Sequence, residues 1–173
     1  GAGFAISSDI QSGELSNKLV LPVSYPLAIM FLELGKTVFF FLSHLVIYIG
    51  IALFFSQYFD LSFEPLFVIW GILSMFMAFL LNFCFLAMIG MLAFWISTSQ
   101  RLIYTFFAII TLASGILVPL EFFPQAIQDF LFWTPFPYLF YFPVHIIQSD
   151  FMSPELLKGF SIQIGYGLIL FAL

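Results

Sequence analysis

Residues 37–59, TVFFFLSHLVIYIGIALFFSQYF, contain no Asp, Glu, Lys or Arg. A hydrocarbon core of about 30 Å needs about 20 apolar residues in a helix, so the stretch is predicted to span a membrane. The signal repeats along the chain. Residues 66–96 form a longer run without formal charge, enough for a tilted span that overshoots the core. Residues 102–120, LIYTFFAIITLASGILVPL, make a third span, and residues 160–173 begin a fourth. The expected fold is all-α, a polytopic transmembrane helical bundle in which residues 1–173 belong to one membrane domain. The chain opens Gly1-Ala2-Gly3 and stops inside an apolar run, so both ends are expected to be cut.

Composition supports that class. Hydrophobic residues make up 63% of the chain and charged residues 8%, against about 25% charged in soluble domains. So little charge could not cover a soluble surface, and 27 phenylalanines suit a lipid-facing exterior. Four Lys and Arg residues exclude a nucleic-acid partner, because phosphate contacts need basic clusters. The lone Cys84 excludes an intrachain disulfide and a cysteine metal cluster; in its apolar run it reads as a small packing residue.

The connecting segments differ in kind. Residues 7–36 hold Asp9, Glu14, Lys18, Glu33 and Lys36, with Pro22 and Pro26. They predict a short helix, a turn and an amphipathic lead-in to the first span. DLSFEP at 60–65 and STSQR at 97–101 are short polar turns. Residues 121–159 are aromatic throughout but interrupted by Pro124, Pro135, Pro137 and Pro143. They are expected to form interfacial or re-entrant helices, tolerated where protein buries the exposed backbone, with Trp133 and the tyrosines at 138–141 near the headgroups. Lys18, Lys36 and Arg101 fall on one side, which basic loops mark as cytoplasmic. The opposite side carries Asp60, Glu64, Glu121, Asp129, Asp150 and Glu155, with Lys158 as its basic residue.

Few residues offer chemistry. Gly35-Lys36-Thr37 has the ending of a phosphate-binding loop, but the required earlier glycine is Met30 and no strand is expected before it. Lys36 reads better as an anchor that snorkels to the interface. His44, beside Ser43, sits well inside the first span. Intramembrane ionisable groups are functional candidates, yet no acid at helical spacing pairs with it, and an interhelical hydrogen bond from neutral imidazole is the expected role. His145 is expected to be solvated. Two isolated histidines do not make a metal site. Gly71, Ser74, Ala78 and Asn82 lie on one stripe of the second span, and Ala108, Thr111 and Gly115 repeat the theme in the third. These stripes are expected to be packing seams; the sharper reading lets them line a translocation path. No nucleophile–base pair or paired carboxylates occur at a catalytic spacing.

Three stretches resemble a known family. DIQSGELSNKLVLPVSYPL at 9–27, LAFWIS at 92–97 and GILVPLEFFPQAIQDFLFWTPFPYLFYFP at 115–143 are similar to type-2 ABC transporter permeases, most closely the bacterial six-span branch that includes viologen-exporter-like permeases. The resemblance implies a piece running from the end of the second span into the sixth. It implies a cytoplasmic coupling helix that docks on a separate ABC ATPase subunit through Asp9, Gly13, Glu14, Leu15 and Lys18. ATP and magnesium would bind that partner, with no cofactor in this chain. An extracellular gate with Phe123, Pro124, Pro135 and Pro143 would cap the pathway, and a second permease subunit, identical or sister, would complete it. The implied activity is export of a hydrophobic or amphipathic substrate across the bacterial inner membrane, with the hydrolysis done elsewhere. The residues leave two other readings open: an ion-coupled secondary transporter, which needs a charged or broken-helix site at the midplane, and a membrane enzyme or scaffold.

Overall fold

A computed structural model of the protein describes residues 1–55, 65–96, 99–149 and 154–172. Among these residues the chain is helix and turn with no strand, in agreement with the expected all-α class. The α-helices are α1 Ala2–Ser12, α2 Glu14–Leu19, α3 Tyr25–Phe55, α4 Pro65–Met91, α5 Ser99–Ala113, α6 Gln125–Phe132, α7 Tyr141–Ile147 and α8 Pro154–Ala172. Short 3₁₀ turns occupy Leu92–Phe94, Leu120–Phe122 and Pro137–Leu139. The acidic turn at 60–64, Ser97, Thr98 and Asp150 lie outside the described residues.

Tyr25–Phe55 and Pro65–Phe94 are the segments long and apolar enough to cross a membrane. The first begins at Tyr25 rather than at the expected residue 37. Pro26 stands in the opening turn, where a missing N–H removes no helical hydrogen bond. Glu33 and Lys36 pair at 2.8 Å across i,i+3, so two charges ride on the helix surface instead of ending it. Gly35-Lys36-Thr37 is thereby mid-helix, not a phosphate loop.

The third expected span, 102–120, becomes a shorter helix and a turn. At 15 residues, α5 is about 22 Å long. It stops because Gly115 takes φ +84°, a left-handed conformation natural to glycine at a helix end, and Pro119 follows. The fourth run starts earlier than residue 160, at Pro154.

In lipid, apolar burial gives helices little reason to associate, so close packing and buried hydrogen bonds decide which helix touches which. By that measure α4 is central and α3 peripheral. Gly71, Ser74, Ala78 and Leu81 of α4 are buried, whereas Phe39, Val46 and Leu53 of α3 are each more than 70% exposed. The main core joins Phe67 and Leu81 of α4, Tyr138, Phe142 and Ile146 around α7, and Leu156 and Phe160 of α8. A smaller one gathers Ala113, Leu120 and Leu131 at the end of α5.

Candidate functional site

The first candidate element is an elbow where α1, α2 and α3 meet. Gly13 ends α1 in the left-handed conformation, φ 77°, and starts α2 at once. The nearly buried Asp9 carboxylate accepts hydrogen bonds from Lys18 Nζ at 2.7 Å and from the Tyr25 hydroxyl at 2.8 Å. One carboxylate thus binds three helices together. Lys18 also stands 3.8 Å from Glu14. The hydrogen bond to Asp9 raises the Lys18 pKa above its ordinary value. Its contribution is complete below that ordinary value and is lost only as pH rises through the raised one, so Lys18 stays charged at physiological pH.

Of the residues assigned to docking, Gly13 and Glu14 are exposed and Leu15 is half-buried. Asp9 and Lys18 are spent on each other inside the elbow. Tyr25, which completes the clamp, was not singled out in the sequence, because the pairing crosses 16 residues and has no local signature.

The elbow is fixed to the bundle by the crossing of α1 over α4. A Cβ on Gly90 would lie 2.7 Å from the Gly3 carbonyl oxygen, and one on Gly3 would lie 2.6 Å from that of Leu86. The two backbones touch, as small residues permit in membrane helix pairs. Buried Ala2, Ile6 and Ser7 continue the α1 contact face.

The second element is the seam on α4. Gly71, Ser74 and Ala78 are buried, and Asn82 is half-buried beside a cavity of about 60 Å³ that Glu33 and Thr37 also line. Gly71 is needed because Ile147 occupies the place a Cβ would take. The α5 stripe does not form a matching seam. Ala108 is exposed, Thr111 donates to Phe107 O of its own helix at 2.6 Å, and Gly115 lies in the turn.

The third element is a cap, made by residues 120–147, that packs along α4 from Phe67 to Phe85. Phe123 packs on the smaller core, Pro124 caps α6, Pro135 is half-buried and Pro143 is buried inside α7. Gln128 holds the entry to α6 by donating to Phe123 O at 2.8 Å. Phe122 and Trp133 are about 80% exposed. The Tyr141 amide donates to Ser114 O at 3.2 Å, tying α7 to the end of α5. From Phe67, within the cap's core, to Gly90, at the elbow, α4 rises about 35 Å. The Phe136 ring of the cap meets Phe85 of α4 at 5.7 Å, so the cap reaches along α4 to within about one turn of the α1 crossing at Leu86 and Gly90.

Neither histidine joins a polar cluster of the elbow or seam. His44 Nδ1 meets Phe40 O of its own helix at 2.8 Å, in place of the expected interhelical bond. It lines a groove of about 560 Å³ with Glu33, Lys36 and Thr37. His145 is exposed and stacks on Tyr141. Among the described residues no group of His, Cys, Asp and Glu is placed to hold a metal ion.

A polar cluster that sequence reading missed links seam and cap. Gln163 of α8, 1% exposed, accepts from Ser74 Oγ and donates to Ser74 O and Tyr138 O, each at 3.0 Å. A lone glutamine in an apolar run was the available signal.

No curated protein and no solved structure matches the chain. The family model described as ABC-2 family transporter protein matches residues 3–173. With only helices and turns and two membrane-length helices among the described residues, and with nearly the whole chain matched, the protein belongs to the ABC-2 family of membrane transporter permeases.

Proposed function

We propose that the chain is the membrane subunit of an ATP-driven exporter, of the six-span viologen-exporter-like kind, and that its elbow receives a separate ABC ATPase subunit. The observation that carries this reading is the continuous connection from α2 through Asp9 to α3, and from α1 through the Gly3–Gly90 contact to α4. A push on the exposed Glu14 side of α2 then moves two membrane helices without first deforming a loop. Rigid elements that move together are the usual means of transmitting such a displacement. ATP and magnesium belong to the ATPase partner, and this chain performs no hydrolysis. A second permease, identical or sister, completes the pathway in the bacterial inner membrane. The elbow faces the cytoplasm, and the cap closes the outer side.

The aromatic, weakly charged helices suit a hydrophobic or amphipathic cargo. The ion-coupled alternative is disfavoured by the ion pair between Glu33 and Lys36, which leaves the α3 acid committed rather than free to exchange an ion. Purification of the full-length protein should bring an ABC ATPase with it, and vesicles holding both should expel an amphipathic dye only with ATP. Dye movement driven by a proton or sodium gradient in the absence of ATP would favour the ion-coupled reading.

A further inference from the structure

We infer that Gln163 is a positioning residue that locks the outer cap onto α4 and α8, so that cap and inner bundle move as one body during transport. The inference rests on the export reading for its meaning, but its geometry stands apart from it. Both amide protons of Gln163 and its oxygen are engaged: the oxygen by Ser74 Oγ, the protons by the carbonyls of Ser74 and Tyr138. The side chain thus touches α4 through Ser74 and the cap through Tyr138 while itself belonging to α8.

The Tyr138 carbonyl is available for a reason visible in the backbone. The Tyr141 amide, which could have closed a turn on it, is committed to Ser114 O. Ser74 and Gln163 are shut away from solvent and lipid, where an unmade hydrogen bond has no replacement partner. Lifting the cap would strand the Tyr138 carbonyl and one Gln163 amide proton, while the two Ser74 bonds hold α8 to α4.

Packing closes the same joint on either side of the glutamine. Ile147 of α7 sits directly on Gly71 of α4, and the Phe142 ring sits on Gly159 of α8. Trp70 of α4 meets Phe160 of α8 edge-on, with ring centres 5.5 Å apart. Phe39, Phe40 and Val46 of α3 are exposed, in contrast to the buried faces of α4 and α8. An outer opening therefore forms at the margin of the α4–α8–cap unit, not by the cap lifting from α4.

The test uses the full-length protein with its ATPase, reconstituted in lipid nanodiscs and vesicles. Hydrogen exchange on Gln163→Leu should show amides at 137–147 exchanging on the order of tenfold faster or more, with α1–α3 amides unchanged. Wild-type exchange across 137–147 would overturn the inference, and so would equal loosening of every helix.

A second variant asks whether the joint stays shut during turnover. Gly71→Cys with Ile147→Cys joins α4 to the cap helix α7, where a Cβ on Gly71 would lie 3.6 Å from that of Ile147, and leaves Gln163 in place. In a background freed of other cysteines the pair should cross-link on oxidation and keep ATP-driven dye efflux within about twofold of the reduced form, because a body that moves as one tolerates an internal staple. Failure to cross-link, or efflux lost on oxidation and restored by reductant, would overturn it. If neither form shows ATP-driven efflux, the export reading fails, and the hydrogen-exchange result still decides the role of Gln163.

Discussion

Gly90→Val is expected to separate α1 from α4, lowering the stability of the purified protein and abolishing ATP-driven transport. The added carbon would lie 2.7 Å from the Gly3 oxygen and 2.9 Å from its Cα. Both are backbone atoms, so no side-chain rotation relieves the clash and a helix must shift. Overpacking of this kind costs about 1–3 kcal/mol, occasionally more, and a backbone-to-backbone clash belongs at the upper end. The intrinsic gain from removing a mid-helix glycine is smaller, about 0.5–1 kcal/mol. The clash wins.

Gly35→Ala supplies the opposite sign. A Cβ there meets nothing within 4 Å, so only the propensity gain remains, and stability should rise or stay level. The pair is read by thermal unfolding in detergent. A Gly90→Val protein that melts and transports like wild type would remove the α1–α4 crossing from the account.

Asp9→Ala is expected to release α2 while leaving the membrane helices folded. The carboxylate is the shared acceptor for Lys18 and Tyr25, so its loss removes the Lys18 tie of α2 to α1 and, with it, the Tyr25 tie of α1 to α3. Lys18 is half-exposed and turns to water, whereas the Tyr25 hydroxyl loses its acceptor at the base of α3. Limited trypsin digestion should cleave after Lys18 on the order of tenfold faster than in wild type, because proteolysis reports the local opening that the clamp suppresses. ATP hydrolysis by the partner should persist while dye efflux falls, since the element joining the two has gone slack. Asp9→Glu, which keeps the charge, should recover part of both readings. Cleavage at the wild-type rate in Asp9→Ala would show that the clamp does not hold α2.

Much of this architecture was legible in the chain because membrane physics writes it in long, simple runs. Segments 37–59 and 66–96 announce helices by length and lack of charge, and α4's Gly71, Ser74 and Ala78 show their buried face by spacing alone. What escaped depended on partners distant in sequence. Asp9 reads as an exposed acid in a polar loop, yet Lys18 and Tyr25 enclose it once the chain turns at Gly13. Gln163 reads as an isolated polar residue, and its partners lie 89 and 25 residues away. Glu33 and Lys36 read as a polar lead-in to the span at 37, whereas one turn of helix pairs them and α3 runs unbroken from Tyr25. The end of α5 was set too late because the run to Leu120 is apolar, and the left-handed turn at Gly115 overrides composition.

The elbow's geometry also selects the residue that tests docking. Reversing Lys18 would drive two carboxylates together at Asp9 and disturb the fold itself. Glu14 is 64% exposed at its side chain and can be reversed with the Asp9 clamp intact. The central claim is that α2 is where an ABC ATPase seats, and the direct measurement is the affinity of that ATPase for the full-length permease in nanodiscs. Glu14→Lys is expected to weaken binding about tenfold or more, as repulsion at a charged contact does, with unchanged trypsin resistance at Lys18. Wild-type affinity in Glu14→Lys would contradict it.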